Sequence, residues 1–212
     1  MSIIISPLFT DARGALGGVV IYKACGQVRM RTKPFSFRDK KSDKQIAQRQ
    51  KLKNCLGMYR VLTPFFACSW RLKAKDLVMN GCNLFIKENI HNFNSEGNPI
   101  DWANLKVTGG TSPFSGDWQV EQTSPGMLTL RWNTGGIPVS ALDDLLQIGV
   151  YGYEDEDEDR KVLFRLSSVR AVREEGECTF AIPANRDTVQ LYACFKNLYS
   201  GEYTDSVYLG EW

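Results

Sequence analysis

Histidine is nearly missing from this chain: among 212 residues there is one, His91. A Ser-His-Asp triad would have to use it, and a metal site built on several histidines is impossible. Its place near the end of an expected helix suits the helix dipole without any catalytic role. Cys25, Cys55, Cys68, Cys82, Cys178 and Cys194 include no CxxC pair, and most stand in apolar stretches where a reduced thiol acts as a small hydrophobe. No Asn-x-Ser/Thr glycosylation acceptor occurs. Long apolar runs are missing too. The start, Met1-Ser-Ile-Ile-Ile-Ser-Pro7, has neither the basic residues nor the apolar length of a signal peptide, which predicts synthesis in the cytoplasm. These shortages point away from an enzyme, and predict no cofactor and no metal.

What is present is an ordinary 43% hydrophobic content, enough for a real core, and a lopsided charge. The net charge of +2 hides two opposite regions. Residues 1–98 carry 17 Lys/Arg against 6 Asp/Glu, a net +11, and residues 99–212 carry 9 against 18, a net −9. A chain so polarised can meet copies of itself head to tail or offer its basic part to an acidic partner, and salt weakens either contact.

The pattern along the chain predicts an α+β protein: an N-terminal β-hairpin and two helices in a basic docking region, 1–98, then an acidic antiparallel β-sandwich of immunoglobulin or fibronectin type III kind, 99–212. Gly14-Ala-Leu-Gly-Gly-Val-Val-Ile-Tyr-Lys23 and Gln27-Val-Arg-Met-Arg-Thr-Lys33 read as β structure about a turn at Cys25-Gly26. In the second, Val28 and Met30 alternate with Arg29 and Arg31, giving one apolar and one basic face. Ser42 and Gln45 form a capping box that opens the first helix, with Ile46, Leu52, Leu56, Tyr59 and Leu62 as its apolar positions. Thr63-Pro64 reads as the start of a second helix running to about residue 89, with Phe66, Trp70, Leu77, Cys82, Phe85 and Ile86 buried and Gly81 marking a close crossing. A polar linker follows at 92–99. Strands are then predicted at 105–108, 118–122, 127–132, 146–153, 162–166, 178–182, 189–197 and 206–209, the rhythm of a sandwich. Leu191, Ala193 and Phe195 alternate with Tyr192 and Cys194.

Two charged stretches are the candidate partner-binding sites. Arg29, Arg31 and Lys33 line one face of the return strand, and further lysines and arginines with Phe35 and Phe37 continue toward the helix, a composition that also suits a nucleic-acid backbone. No helix-turn-helix, RRM or zinc-finger pattern accompanies them. The run 154–159 has Asp155, Asp157 and Asp159 at the first three spacings of a calcium loop. Arg160 takes the glycine position and Leu166 the closing glutamate, so an EF-hand is rejected. With Glu154 these residues form a solvated loop or a contact for a basic neighbour. Gly14, Gly17 and Gly18 lack the Gly-Lys-Ser/Thr of a phosphate loop and precede a strand.

The order of Gly17-Gly18-Val-Val, the return strand to Arg31 and Pro34, Gln45 to Arg49, Thr63-Pro64, Asn83 to Asn89 and the terminal Ser206-Val-Tyr-Leu-Gly210 resembles an uncharacterised family common in Bacteroidetes genomes and in tailed phages of that group. Leu128-Thr-Leu-Arg-Trp132 is similar to an early strand of fibronectin type III domains, in which a tryptophan anchors the core. The resemblance implies no catalytic residue. It implies a phage virion or appendage structural protein that contacts other assembly proteins and itself. The alternatives are a cell-associated module binding protein or glycan, and a nucleic-acid-binding accessory protein. Membrane insertion is not expected.

Overall fold

The computed structural model describes residues 2–4, 12–24, 26–36, 39–97, 99–114, 117–156, 159–167, 169–182 and 188–212, with 2–4, 153–156 and 159–163 as backbone alone. Two compact units divide the chain, Met1–Ile46 and Ala47–Trp212. The change of charge at residue 98 therefore lies inside the second unit.

In the first unit, β3 (Val19–Ala24) and β4 (Gln27–Thr32) form the expected antiparallel hairpin, with Ala24 opposite Gln27 across the turn. The hairpin is the centre of a four-stranded sheet, because β1 (Ser2–Ile4) pairs with β4 and β2 (Gly14–Leu16) with β3. Two short edge strands thus satisfy backbone groups that an isolated two-stranded ribbon leaves to water.

Helix α1 spans Asp43–Lys73 without a break at Thr63-Pro64. The expected second start is corrected here. Pro64 cannot donate to the Arg60 carbonyl, yet the Thr63 hydroxyl donates to the Tyr59 carbonyl at 2.8 Å and the apolar stripe Met58, Leu62, Phe66, Trp70 runs through the proline into one core. Packing outweighs local propensity. At the start of the helix the Gln45 side chain accepts from the Ser42 N–H at 3.3 Å. A turn at 74–80 then leads to α2 (Gly81–Asn89), whose first turn is capped by Asn80 accepting from the Asn83 N–H at 2.7 Å. Leu77 lies in that turn and is exposed, contrary to expectation. Gly81 stands at the close crossing, at the start of α2: a Cβ there would lie 2.9 Å from the Arg71 nitrogen of α1.

Seven of the eight expected strands are present: β5 (Trp118–Ser124), β6 (Met127–Trp132), β7 (Leu145–Glu156), β8 (Asp159–Leu166), β9 (Glu177–Ala181), β10 (Gln190–Lys196) and β11 (Val207–Glu211). They form a three-stranded sheet, β5-β6-β9, and a four-stranded sheet, β11-β10-β7-β8, with every neighbouring pair antiparallel. Leu128, Leu130, Phe180, Ile148, Leu191 and Phe195 share one buried core from both sheets. Tyr192 and Cys194, alternating with the last two, face the helices and join Phe66, Trp70 and Phe85 in a second core with Tyr151 and Phe164. Strand β10 is therefore buried on both faces, as its apolar composition requires.

Residues 105–108 do not form a strand. Their backbone groups bond to side chains instead of to a ladder: Trp70 Nε1 donates to the Val107 carbonyl at 3.0 Å, Asn89 accepts from the Lys106 N–H at 2.8 Å, and Ser206 accepts from the Val107 N–H at 2.9 Å. The following Gly110 passes so close to the backbone of Thr204 and Asp205 that any Cβ would collide with it. This strap ties the helices to the sandwich within the second unit. The segment at 92–99 is likewise pinned, by a bridge between Phe93 and Pro99 and by Asn54 donating to the Asn94 carbonyl at 3.0 Å.

Candidate functional site

Alternation along β4 and its extension sets Arg29, Arg31 and Lys33 on one face of the first unit. Arg31 and Lys33 are exposed. The Arg31 guanidinium lies 5.9 Å from the centre of the Tyr22 ring, while Arg29 is half buried and donates to the Gln27 side chain at 3.2 Å. Arg31 and Lys33 thus present their charge at the surface, Arg31 from beside the Tyr22 ring. Phe35 follows, fully exposed, and Phe37 lies outside the described residues.

The acidic run is arranged differently from the expected loop. Glu154 and Asp155 belong to β7 and Asp159 to β8, while Asp157 lies outside the described residues. The register sets Glu154 opposite Lys161, Asp155 opposite Arg160 and Glu156 opposite Asp159. Positions 154 and 155 alternate along β7 and so fall on opposite faces of the sheet. Among the described residues no group of three or more His, Cys, Asp or Glu is placed to hold a metal ion. Among the same residues no helix is long and apolar enough to cross a membrane.

A site that the sequence did not single out lies at one end of the sandwich, where the β6–β7 and β10–β11 loops meet residues 111–113. These elements enclose a groove of about 560 Å³. Its floor is a buried polar clasp. Asp144 and Arg173 approach to 3.6 Å, Asn197 donates to the other Asp144 oxygen at 2.7 Å, and Arg173 donates to the Phe114 carbonyl at 2.5 Å. The Arg173 guanidinium also sits 5.0 Å from the centre of the Phe195 ring. Burial lowers the Arg173 pKa, and the neighbouring Asp144 carboxylate opposes that shift. Asn197 organises the β10–β11 loop as well, accepting from the Tyr199 and Ser200 N–H groups at 3.0 and 2.9 Å and donating to the Ser140 carbonyl at 3.2 Å. One asparagine therefore ties both loops together. Beside it Val139, Leu198 and Tyr199 are 84%, 60% and 88% exposed.

Two of the groove's charged groups, Asp144 and Arg173, serve its framework, since they bond to each other, to Asn197 and to backbone, while the third, Glu202, is exposed. The cysteines offer no activated nucleophile among those with a shifted pKa: burial pushes Cys55 up to about 12 and also raises Cys82, Cys178 and Cys194. His91 is exposed in the turn Ile90–Asn92 after α2. Nothing in one dimension pairs Asp144 with Arg173. The apolar pair Leu198-Tyr199 inside the turn-forming stretch Asn197 to Gly201 was the one legible signal.

Residues 11–210 match the model of a family of unknown function, DUF6266. The chain belongs to that family. No curated protein matches it. The match covers the first unit from residue 11 onward and nearly all of the second, leaving β1 outside it.

Proposed function

We propose that this chain is a non-enzymatic assembly protein that binds another protein at the loop end of its sandwich. One observation carries the reading: Val139, Leu198 and Tyr199 stand exposed on the two loops beside a single groove. Large apolar side chains gathered at one place cost solvation unless covered, and tyrosine is favoured at protein interfaces. The sandwich reads as an immunoglobulin or fibronectin type III type. Supporting this are the order β5-β6-β9 against β11-β10-β7-β8 and Trp132 packing edge to face on Phe195 at 5.5 Å. In such sandwiches the loops at one end are a common binding surface.

The setting implied by the sequence resemblance is a tailed-phage virion or appendage from Bacteroidetes, with the chain made in the cytoplasm and the basic face of Arg29, Arg31 and Lys33 as a second docking surface. Quantitative mass spectrometry of purified particles tests it. A fixed copy number relative to the major capsid protein supports the virion role, and absence from particles removes it.

A second reading is favoured by the exposed Arg31, Lys33, Lys40 and Lys41 with the fully exposed Phe35. Cations beside an aromatic face suit single-stranded nucleic acid. Affinity that falls steeply with salt would support that reading, and no retention on single-stranded DNA at low salt would end it.

A further inference from the structure

We infer that the loop-end groove takes the segment Lys33-Pro34-Phe35 of a second copy of this chain, an inference that rests on the assembly reading above and names its partner. Phe35 is 103% exposed, the largest exposure among the large hydrophobic residues described, and Lys33 and Pro34 beside it are exposed as well. Pro34 holds the residue before it in an extended conformation, so the segment is already shaped for insertion and loses little freedom on binding. The Lys33 N–H bonds to the Gly18 carbonyl at 2.7 Å, which fixes the point from which the segment leaves the sheet.

The groove is complementary to that segment in three respects. Its volume of about 560 Å³ accepts a phenyl ring with a neighbouring proline. The loops that line it also carry exposed apolar side chains, Val139, Leu198 and Tyr199, each next in sequence to a lining residue or one position further. Exposed carboxylates stand in it and next to it: Glu202 lines it, and Asp143 and Glu174 adjoin the lining residues Asp144 and Arg173 in sequence, while Lys196, 5.6 Å from the ring centre of the lining Tyr203, offsets part of that charge. Arg173 on its floor is occupied by Asp144. A basic, aromatic, extended segment is the occupant this chemistry selects, and the chain itself carries one. The contact joins two different surfaces, so it is heterologous: each copy offers a segment to one neighbour and a groove to another, and the assembly grows as a ring or a filament.

The test is sedimentation velocity on the full chain over a concentration series at low and high salt, with Phe35→Asp and Leu198→Asp variants. Both positions are exposed, so both variants should fold, which circular dichroism and thermal melting check. The wild type is expected to associate at low salt and dissociate at high salt. Each variant alone should show a dissociation constant raised at least tenfold. The decisive sample is an equimolar mixture of the two. Phe35→Asp retains a working groove and Leu198→Asp a working segment, so the mixture should form dimers that neither variant forms alone. A wild type that stays monomeric at every concentration overturns the inference, as do oligomers that survive both substitutions, or a mixture that contains monomers only. A monomeric wild type found in purified particles at fixed copy number overturns this inference while leaving the assembly reading intact with a different partner.

Discussion

The two compact units bury their side chains on very different scales. In Met1–Ile46, Val28 is the one buried side chain among the described residues, and the unit is held mainly by strand ladders. In Ala47–Trp212, two apolar cores lie on either face of one sheet, and Trp70, Phe85, Leu128 and Phe195 are each fully enclosed. Hydrophobic burial supplies most of a domain's stability, so the second unit is built to stand alone.

The largest test of this contrast is Trp70→Ala. It removes a side chain with 0% exposure, its edge-to-face contact with Phe85 at 5.2 Å and its bond to the Val107 carbonyl. Equilibrium unfolding in urea should show a loss of about 3–5 kcal/mol. Asn89→Ala should follow at about 1–3 kcal/mol, because the Phe85 and Lys106 carbonyls lose a donor and the Lys106 N–H its acceptor in a buried place. Glu88→Gln should act through pH. Burial tends to raise the Glu88 pKa, but hydrogen bonds and charge from Lys106 and Lys73 outweigh it and hold the carboxyl below its ordinary 4.5. The stabilisation is therefore complete above that value and disappears as the pH falls through the lower, folded one. The effect should be under about 1 kcal/mol, since Lys106 is half exposed, and the variant should lose less stability than the wild type between pH 5 and 2. The smallest effect is Val28→Ala. Amide exchange in β3 and β4 should quicken while the main unfolding transition stays in place; a lower main transition would show that the units are not energetically separate.

Much of the fold was legible. The alternation of Leu191, Ala193 and Phe195 with Tyr192 and Cys194 assigned both faces of β10 correctly, because a strand buried on two sides has few ways to distribute its apolar residues. Tertiary packing hid the rest. Proline at 64 normally marks a helix start, and only the stripe shared with Leu62 and Phe66 carries α1 past it. Residues 105–108 have the composition of a strand, yet Asn89 and Ser206 satisfy backbone that a ladder would have taken. The groove was the least legible part. Its clasp joins Phe114, Asp144, Arg173 and Asn197 from four separate stretches, and only Leu198-Tyr199 hinted at it. The basic face of β4 could be read from period two alone, whereas the placing of Glu154 and Asp155 inside β7 could not be read from the composition of the acidic run.

The strap that ties α1 to the sandwich has a kinetic meaning. Its bonds reach across the chain: Thr108 donates to the Thr204 carbonyl 96 positions away, and the Val107 N–H to Ser206 across 99. Contacts so distant in sequence require most of the intervening chain to be ordered first, and they slow folding. The strap should therefore be the last piece to lock. In a quenched-flow exchange experiment the Val107 amide should gain protection only after those of β10 and β11, and earlier protection would contradict that order. On a ribosome, α1 would leave the tunnel long before its fastener exists, and its apolar stripe would have only α2 for cover until the strands of the sandwich arrived.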